Sequence, residues 1–130
     1  MTDTAAPIHH AIHWFEIPVS DMARSQRFYE QLLGISLRVE DFGGSQLAVF
    51  PADGAQGVKG ALMKVDRVAP HTDGVLLYLN AGAALQPVLD RVVALGGQVL
   101  LPRTQLPPGM GCFAHIADVD GQRIGLHAQD

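Results

Sequence analysis

The chain has 130 residues, 48% of them hydrophobic and 17% charged, which describes one compact globular domain rather than a disordered chain. Its net charge is -4, and it has neither a basic run nor a long apolar run. We therefore expect neither nucleic acid nor a membrane as a partner. The single cysteine excludes an internal disulfide, and the opening segment lacks the basic region of a secretory signal, so we expect a cytoplasmic protein.

The first half of the chain is predicted to form a strand, a helix and three more strands. Residues 8–19 roughly alternate between apolar and polar side chains, which is typical of a strand. Asp21 is a suitable N-cap for a helix whose apolar face carries Phe28 and Tyr29. Gly34 is placed to end that helix in a left-handed conformation. The strands predicted after it are residues 36–40, 46–50 and 59–65.

The second half repeats this order of elements. A strand at 75–80 precedes a helix at about 86–95, in which Pro87 is tolerated because it lies in the first turn. Asp120 and Gly121 predict a tight hairpin turn between the last two strands. The strands predicted after the second helix are residues 98–101, 111–117 and 123–127.

The chain therefore contains a β-α-β-β-β unit written twice within a single domain, residues 1–130. Module one covers about residues 8–65, a linker covers 66–73, and module two covers about 74–128. A unit of this size cannot bury its own sheet face. We therefore predict an α+β fold whose two tandem modules form a split barrel around a central cavity, where the functional site should lie.

Two segments carry a resemblance to a known family. They are residues 17–34 (IPVSDMARSQRFYEQLLG) and residues 118–127 (DVDGQRIGLH). The first resembles the strand-to-helix transition, and the second the closing Asp-x-Asp-Gly hairpin, of the vicinal oxygen chelate superfamily. That superfamily groups glyoxalase I, bleomycin-resistance proteins and extradiol dioxygenases. The resemblance implies the split-barrel fold but no single reaction, because one scaffold supports many chemistries.

Enzymes that belong to this superfamily hold a divalent metal with His or Glu side chains from both modules. By resemblance, the first ligand position falls at Trp14 and the last at Gly125. The other two fall within the Gly-Ala-Leu run at 60–62 and the Gly-Val-Leu run at 74–76. None of these side chains coordinates a metal. The resemblance therefore implies that the usual metal site is missing, and we expect no cofactor.

Two polar residues share a strand face with missing ligand positions. Glu16 lies two residues after Trp14, and His127 lies two residues after Gly125. If that face lines the cavity, the carboxylate and the imidazole form a candidate catalytic pair for acid–base chemistry. The alternative is that His127 is solvated and Glu16 bonds to the backbone or to an arginine.

Three residues are candidates for ligand contact. Trp14 and Tyr78 suit a cavity wall that stacks on a flat ligand, although core packing explains them equally well. Met110 lies in the loop at 107–111, which is either a flap over the cavity or a plain connection. His115 faces either the cavity or solvent, and the sequence does not decide between them.

These observations predict a protein that binds a small organic molecule in a metal-free cavity, either to sequester it or as a metal-independent lyase or isomerase. Relatives pair modules between chains, which implies a homodimer. One alternative is a metal-dependent, lactoylglutathione-lyase-like enzyme, in which Glu16 and His127 help to hold Zn, Ni, Fe or Mn. Another is an accessory module that binds a protein. The preferred cavity is lined by Trp14, Glu16, Tyr78 and His127.

Overall fold

The computed structural model describes residues 10–54, 57–71 and 74–130. Within these ranges the chain forms helices and strands in the predicted order, and none of the helices is long and apolar enough to cross a membrane. The elements in chain order are β1 Trp14–Val19, α1 Met22–Leu33, β2 Arg38–Phe42, β3 Ser45–Val49, β4 Lys59–Lys64, β5 Tyr78–Gly82, α2 Gln86–Val92, β6 Gln98–Gln105, β7 Cys112–Ala117 and β8 Arg123–Ala128.

The strands form two four-stranded sheets of the same design, one for each module. Sheet one has the order β1-β4-β3-β2, and sheet two has the order β5-β8-β7-β6. The first and last strands of each module pair in parallel, and the remaining pairs are antiparallel. The predicted α+β fold of two tandem modules is confirmed. Within the described ranges the two sheets stay separate, so the strands do not close into one barrel.

Helix α1 has the predicted ends. The Asp21 carboxylate accepts a hydrogen bond from the Arg24 backbone N–H at 3.1 Å, which satisfies one free amide of the first turn. Gly34 has a φ of 68°, a conformation that glycine adopts without steric cost, and its N–H bonds to the Glu30 carbonyl. The helix buries Phe28 and other apolar side chains in the hydrophobic core.

Several predicted boundaries shift because a strand exists only where it has a pairing partner. β1 begins at Trp14, opposite the start of β4, rather than at residue 8, which lies outside the described residues. β5 begins at Tyr78 rather than at Val75, which is 94% exposed. β6 continues past Leu101 to Gln105, since it keeps pairing with β7 across two register shifts. Helix α2 ends at Val92 and not at residue 95.

The larger of two buried clusters joins the two modules. It is made by the helix-covered faces of both sheets and includes Phe28 and Leu62 of module one and Val92 and Leu126 of module two. The opposite face of each sheet carries no helix, and we call it the open face. On sheet one it presents Trp14, Glu16, Leu47, Val49, Ala61 and Met63; on sheet two it presents Tyr78, Asn80, Phe113, His115, Arg123, Gly125 and His127.

The β7–β8 turn fastens module two to module one. Tyr29 donates a 2.7 Å hydrogen bond to the Asp118 carboxylate, and Asp120 accepts from Ser20 at 2.6 Å and pairs with Arg24 at 2.8 Å. Burial raises the pKa of Asp118, while hydrogen bonds from Tyr29 and from two backbone amides oppose that rise. These bonds hold the end of β1 against the beginning of β8.

Candidate functional site

A cavity of about 670 Å³ lies where the two modules meet, and we call it the seam cavity. Its walls are β1, linker residues between Arg67 and His71, and the segments that lead into β5 and β8. Gln122 donates a 2.8 Å hydrogen bond to the Pro18 carbonyl and forms a β-bridge with His71, which holds these walls together. Its aromatic lining residues are Trp14 and Phe15, and its polar ones are Glu16, Arg67, His71, Gln122 and Arg123.

Strand alternation places two of the predicted site residues in the seam cavity. Ile17 and Val19 are buried in the core, so Trp14 and Glu16 project from the opposite face of β1. The Trp14 indole N–H donates to the Glu16 carboxylate at 3.1 Å. The indole is 40% exposed and forms part of the wall, and it orients the neighbouring carboxylate.

Two nitrogen atoms of lining residues are buried without a hydrogen-bond partner among the described residues. They are Nδ1 of His71 and Nε of Arg123. Buried polar atoms are almost always paired in folded proteins, because an unpaired one costs free energy. Both atoms therefore mark this wall of the seam cavity as one that a polar group could stabilise.

A second cavity of about 550 Å³ lies beside the seam cavity and has mostly apolar walls; we call it the apolar cavity. Tyr78, which the sequence places opposite Trp14, lines this cavity and not the seam cavity. The phenol is 46% exposed. The apolar residues around it include Phe15, Leu33, Ile35, Phe50 and Leu77.

His127 and Met110 contact each other. The His127 Nε2 lies 2.8 Å from the Met110 carbonyl oxygen, to which it donates, and the Met110 side chain is 57% exposed. Among the described residues, neither lines the seam cavity or the apolar cavity. The structure thus gives Glu16 and His127 different partners, and their joint acid–base role stays a prediction.

Four polar residues of the seam cavity were not predicted from the sequence: Arg67, His71, Gln122 and Arg123. Gln122 and Arg123 directly follow the Asp-Gly hairpin turn, and that position was the available signal for them. His115, left open between cavity and solvent, lies on the open face of sheet two. It is bonded to Tyr78 and to Arg123, each at 2.8 Å.

The metal enzymes that this chain resembles need metal-ligand atoms at four positions, and the side chains at the corresponding positions do not supply them. The Trp14 indole N–H donates hydrogen bonds but has no lone pair with which to bind a metal. Ala61, opposite Glu16 on β4, carries no ligand atom. Gly125 carries no side chain and lies under the Tyr78 ring. Across the described ranges, no three His, Cys, Asp or Glu side chains are grouped so as to hold a metal ion.

The chain has two modules whose first and last strands pair in parallel, a shared core and open sheet faces. These features define a protein of the vicinal oxygen chelate class. The family model of the Glyoxalase/Bleomycin resistance protein/Dioxygenase superfamily matches residues 11–126, and the chain belongs to that superfamily. This confirms the family inferred from residues 17–34 and 118–127. A search of curated proteins found no match.

Solved structures share the fold. Glyoxalase I from Zea mays is 24% identical, with a TM-score of 0.67 over 90% of this chain and 45% of that chain. A glyoxalase-related enzyme from Fulvimarina pelagi is 22% identical, with a TM-score of 0.65 over 93% and 88%. The fosfomycin resistance protein FosX from Listeria monocytogenes is 20% identical, with a TM-score of 0.66 over 94% and 92%. The chain spans about half the length of the maize enzyme.

Proposed function

We propose that this protein binds a small organic molecule in the seam cavity without a protein-held metal. The observation that carries the proposal is a cavity at the module junction with an exposed indole and charged side chains on its walls. Its volume of about 670 Å³ falls within the range of small-molecule sites. The positions at which relatives would supply metal ligands carry no donors for one.

The charges of the seam cavity indicate the kind of molecule. Arg67 and Arg123 bring two positive charges to the lining, against the single negative charge of Glu16. The buried Nε of Arg123 has no partner among the described residues, and a carboxylate or carbonyl oxygen would satisfy it. The Trp14 ring offers a flat apolar surface. A molecule with both an apolar part and an acceptor oxygen suits these walls.

The proposal extends to a metal-independent lyase or isomerase step. Glu16 is the carboxylate on the seam-cavity wall, and it accepts a hydrogen bond from the Trp14 indole. A fixed carboxylate is suited to take a proton from carbon and return it, which is the elementary step of an isomerase. In this proposal Glu16 acts and Trp14 positions it.

Trp14 is the single tryptophan of the chain, and its fluorescence therefore reports directly on the seam cavity. We expect a panel of small carboxylates, ketones and amides to contain compounds that shift its emission and raise the melting temperature. Glu16→Gln should lower the dissociation constant of a carboxylate by about tenfold, because the variant removes a like charge beside the ligand. Glu40→Gln, on exposed β2, is the matched control and should leave that dissociation constant unchanged.

A panel that leaves both signals unchanged would contradict the proposal and favour the accessory protein-binding module. Metal analysis of protein purified without an affinity tag tests the rival metal-dependent enzyme. We expect no stoichiometric Zn, Ni, Fe or Mn, and no loss of ligand binding after dialysis against a chelator. A stoichiometric ion that the chelator removes together with binding would favour the rival.

We also propose that two copies associate through sheet one. All five residues of β2 are exposed at the sheet edge, where Val39 is 48% and Phe42 is 73% exposed. Unpaired edges with apolar side chains favour pairing with another chain. Sedimentation should therefore show a dimer that Phe42→Glu dissociates, while Val75→Glu, at an exposed site in module two, leaves it intact. A monomeric parent protein would contradict this proposal.

A further inference from the structure

Three residues from three strands meet in one row across the open face of sheet two. Tyr78 on β5 pairs with Gly125 on β8, and Gly125 pairs with His115 on β7. Because Gly125 has no side chain, the Tyr78 ring lies over it and reaches across to the imidazole. The Tyr78 hydroxyl oxygen is 2.8 Å from Nε2 of His115.

The hydrogen bond at the other ring nitrogen of His115 fixes which nitrogen carries the proton. Nη1 of Arg123 is 2.8 Å from Nδ1 of His115. A guanidinium group only donates hydrogen bonds, so Nδ1 must accept and the ring proton of a neutral His115 must lie on Nε2. Burial, and secondarily the charge of Arg123, lowers the pKa of His115, which agrees with a neutral ring.

The direction of these hydrogen bonds leaves the hydroxyl proton of Tyr78 free. Nε2–H of His115 donates to the Tyr78 oxygen, so the Tyr78 O–H must point its own proton away from the imidazole. The hydrogen bonds thus run from Arg123 through His115 to Tyr78. Each bond polarises the next, which makes the exposed hydroxyl a stronger donor.

One further aromatic ring, that of Phe113, lies beside the Tyr78–His115 pair. The Phe113 ring lies 6.1 Å from the Tyr78 ring and 5.7 Å from the His115 ring, measured between centroids. Phe113 is half-buried and the phenol is 46% exposed, so the cluster presents a ring surface beside a hydroxyl donor. A planar apolar group packs on such a surface, with an oxygen placed at the hydroxyl.

We infer that the Tyr78–His115–Arg123 chain is a recognition site for the acceptor oxygen of an aromatic carboxylate, with Phe113 packing against the aromatic ring of that ligand. The inference goes beyond the proposed function: it places a second ligand surface on the open face of sheet two and names the chemical class of its ligand. Arg123 lines the seam cavity and Tyr78 lines the apolar cavity, so the chain links the walls of both.

The hydrogen-bond chain is tested without any ligand. In protein labelled with ¹⁵N-histidine, His115 should show a protonated Nε2 and an unprotonated Nδ1 near pH 7.5. Arg123→Met removes the donor to Nδ1, so the variant should show a mixture of the two tautomers. A parent protein in which Nδ1 carries the proton would overturn the inference, whatever binds in the seam cavity.

Ligand class is tested with benzoate and benzyl alcohol as probes, titrated against the His115 ring signals. Tyr78→Phe keeps the ring and removes only the donor, so benzoate binding should weaken about tenfold, while benzyl alcohol binding changes less than about twofold. Phe113→Leu should weaken both probes, because it removes the ring surface and leaves the donor. Circular dichroism spectra confirm that each variant is folded.

The outcomes separate this inference from the proposed function. If panel compounds shift Trp14 emission but Tyr78→Phe binds benzoate as tightly as the parent, the inference is wrong and the proposed function stands. Failure of the parent to bind benzoate also overturns the inference. If no compound binds anywhere while His115 shows the expected tautomer, the proposed function fails. The hydrogen bonds among Tyr78, His115 and Arg123 then serve structure only, and the inference is overturned as well.

Discussion

Gly125 shows how a single residue decides the chemistry of sheet two. It lies at the position where the resemblance to metal enzymes places the last ligand, and it lies under the Tyr78 ring. A Cβ atom at Gly125 would come within 2.6 Å of Cε1 of Tyr78, a distance that real Cβ contacts essentially never show. Glycine at this position therefore leaves the Tyr78 ring room to reach His115.

Gly125→Ala should lower the free energy of unfolding by about 1–3 kcal/mol, because the added methyl overlaps the Tyr78 ring and displaces it. Urea denaturation measures the change. The control is the same substitution in a Tyr78→Ala background, where the methyl has room and should cost much less. Equal costs in both backgrounds would show that the ring does not lie over Gly125.

His115 predicts a pH dependence of stability. Its pKa in the folded protein lies below the ordinary value of 6.5, first because of burial and then because of Arg123. The unfolded chain therefore takes up a proton at a higher pH than the folded chain, so stability is lost as the pH falls below about 6.5. The contribution levels off once the pH is below the folded pKa.

His115→Gln removes this titration, so the stability difference between parent and variant should shrink as the pH falls from 7.5 to 5. Urea denaturation at both values measures it. His13→Gln, at an exposed site before β1, controls for general effects of removing an imidazole. A difference that grows as the pH falls contradicts the assigned direction.

At the scale of elements, the β7–β8 turn acts as a clamp on helix α1. Asp118 is buried and accepts from the Tyr29 hydroxyl and from the backbone amides of Asp120 and Gln122. Burial and then the neighbouring carboxylate raise the pKa of Tyr29, so the hydroxyl stays a donor. A helix of module one is thus held by a turn of module two.

Tyr29→Phe should destabilise the protein by about 1–3 kcal/mol, because it leaves a buried carboxylate short of one donor. Tyr78→Phe is the matched control: it removes a half-exposed hydroxyl and should cost less than about 1 kcal/mol. Chemical denaturation of both variants provides the comparison. Equal losses would mean that the Tyr29–Asp118 bond does not fasten the modules.

The elements also show which local signals predict structure. Asp21 and Gly34 bound helix α1 as predicted, since capping depends on neighbours within one turn. The prediction was wrong about the beginning of β5 and the end of β6, because strand ends depend on a partner strand that local sequence does not reveal. Pro87 lies in the first turn of α2 as expected.

At the scale of the whole molecule, one core serves both modules. The buried cluster runs without interruption from Ile17 in β1 to Ala128 in β8. A module that separated would expose its half of that core to water, at a cost of about 25 cal/mol for each Å² of apolar surface. The modules therefore stabilise each other and should not unfold one at a time.

We expect a single cooperative unfolding transition. Trp14 fluorescence, which reports on module one, and far-ultraviolet circular dichroism, which reports on both modules, should give the same urea midpoint. Leu126→Ala, deep in module two, should shift both midpoints together by weakening the shared core. Two separate transitions, with only one of them shifted by this substitution, would show that the modules fold independently.

The sequence by itself determined the duplication, the order of elements and the superfamily. The duplication and the order of elements follow from local alternation, caps and turns, and the superfamily follows from the resemblance carried by residues 17–34 and 118–127. Only the tertiary structure decided that Arg123 and His71 join Trp14 in the seam cavity, and that Tyr78 bonds to His115 rather than facing Trp14. Tyr78 and His115 lie 37 positions apart and meet through strand register. Register and module packing arise from many weak contacts across the whole chain, and no short stretch of sequence specifies them.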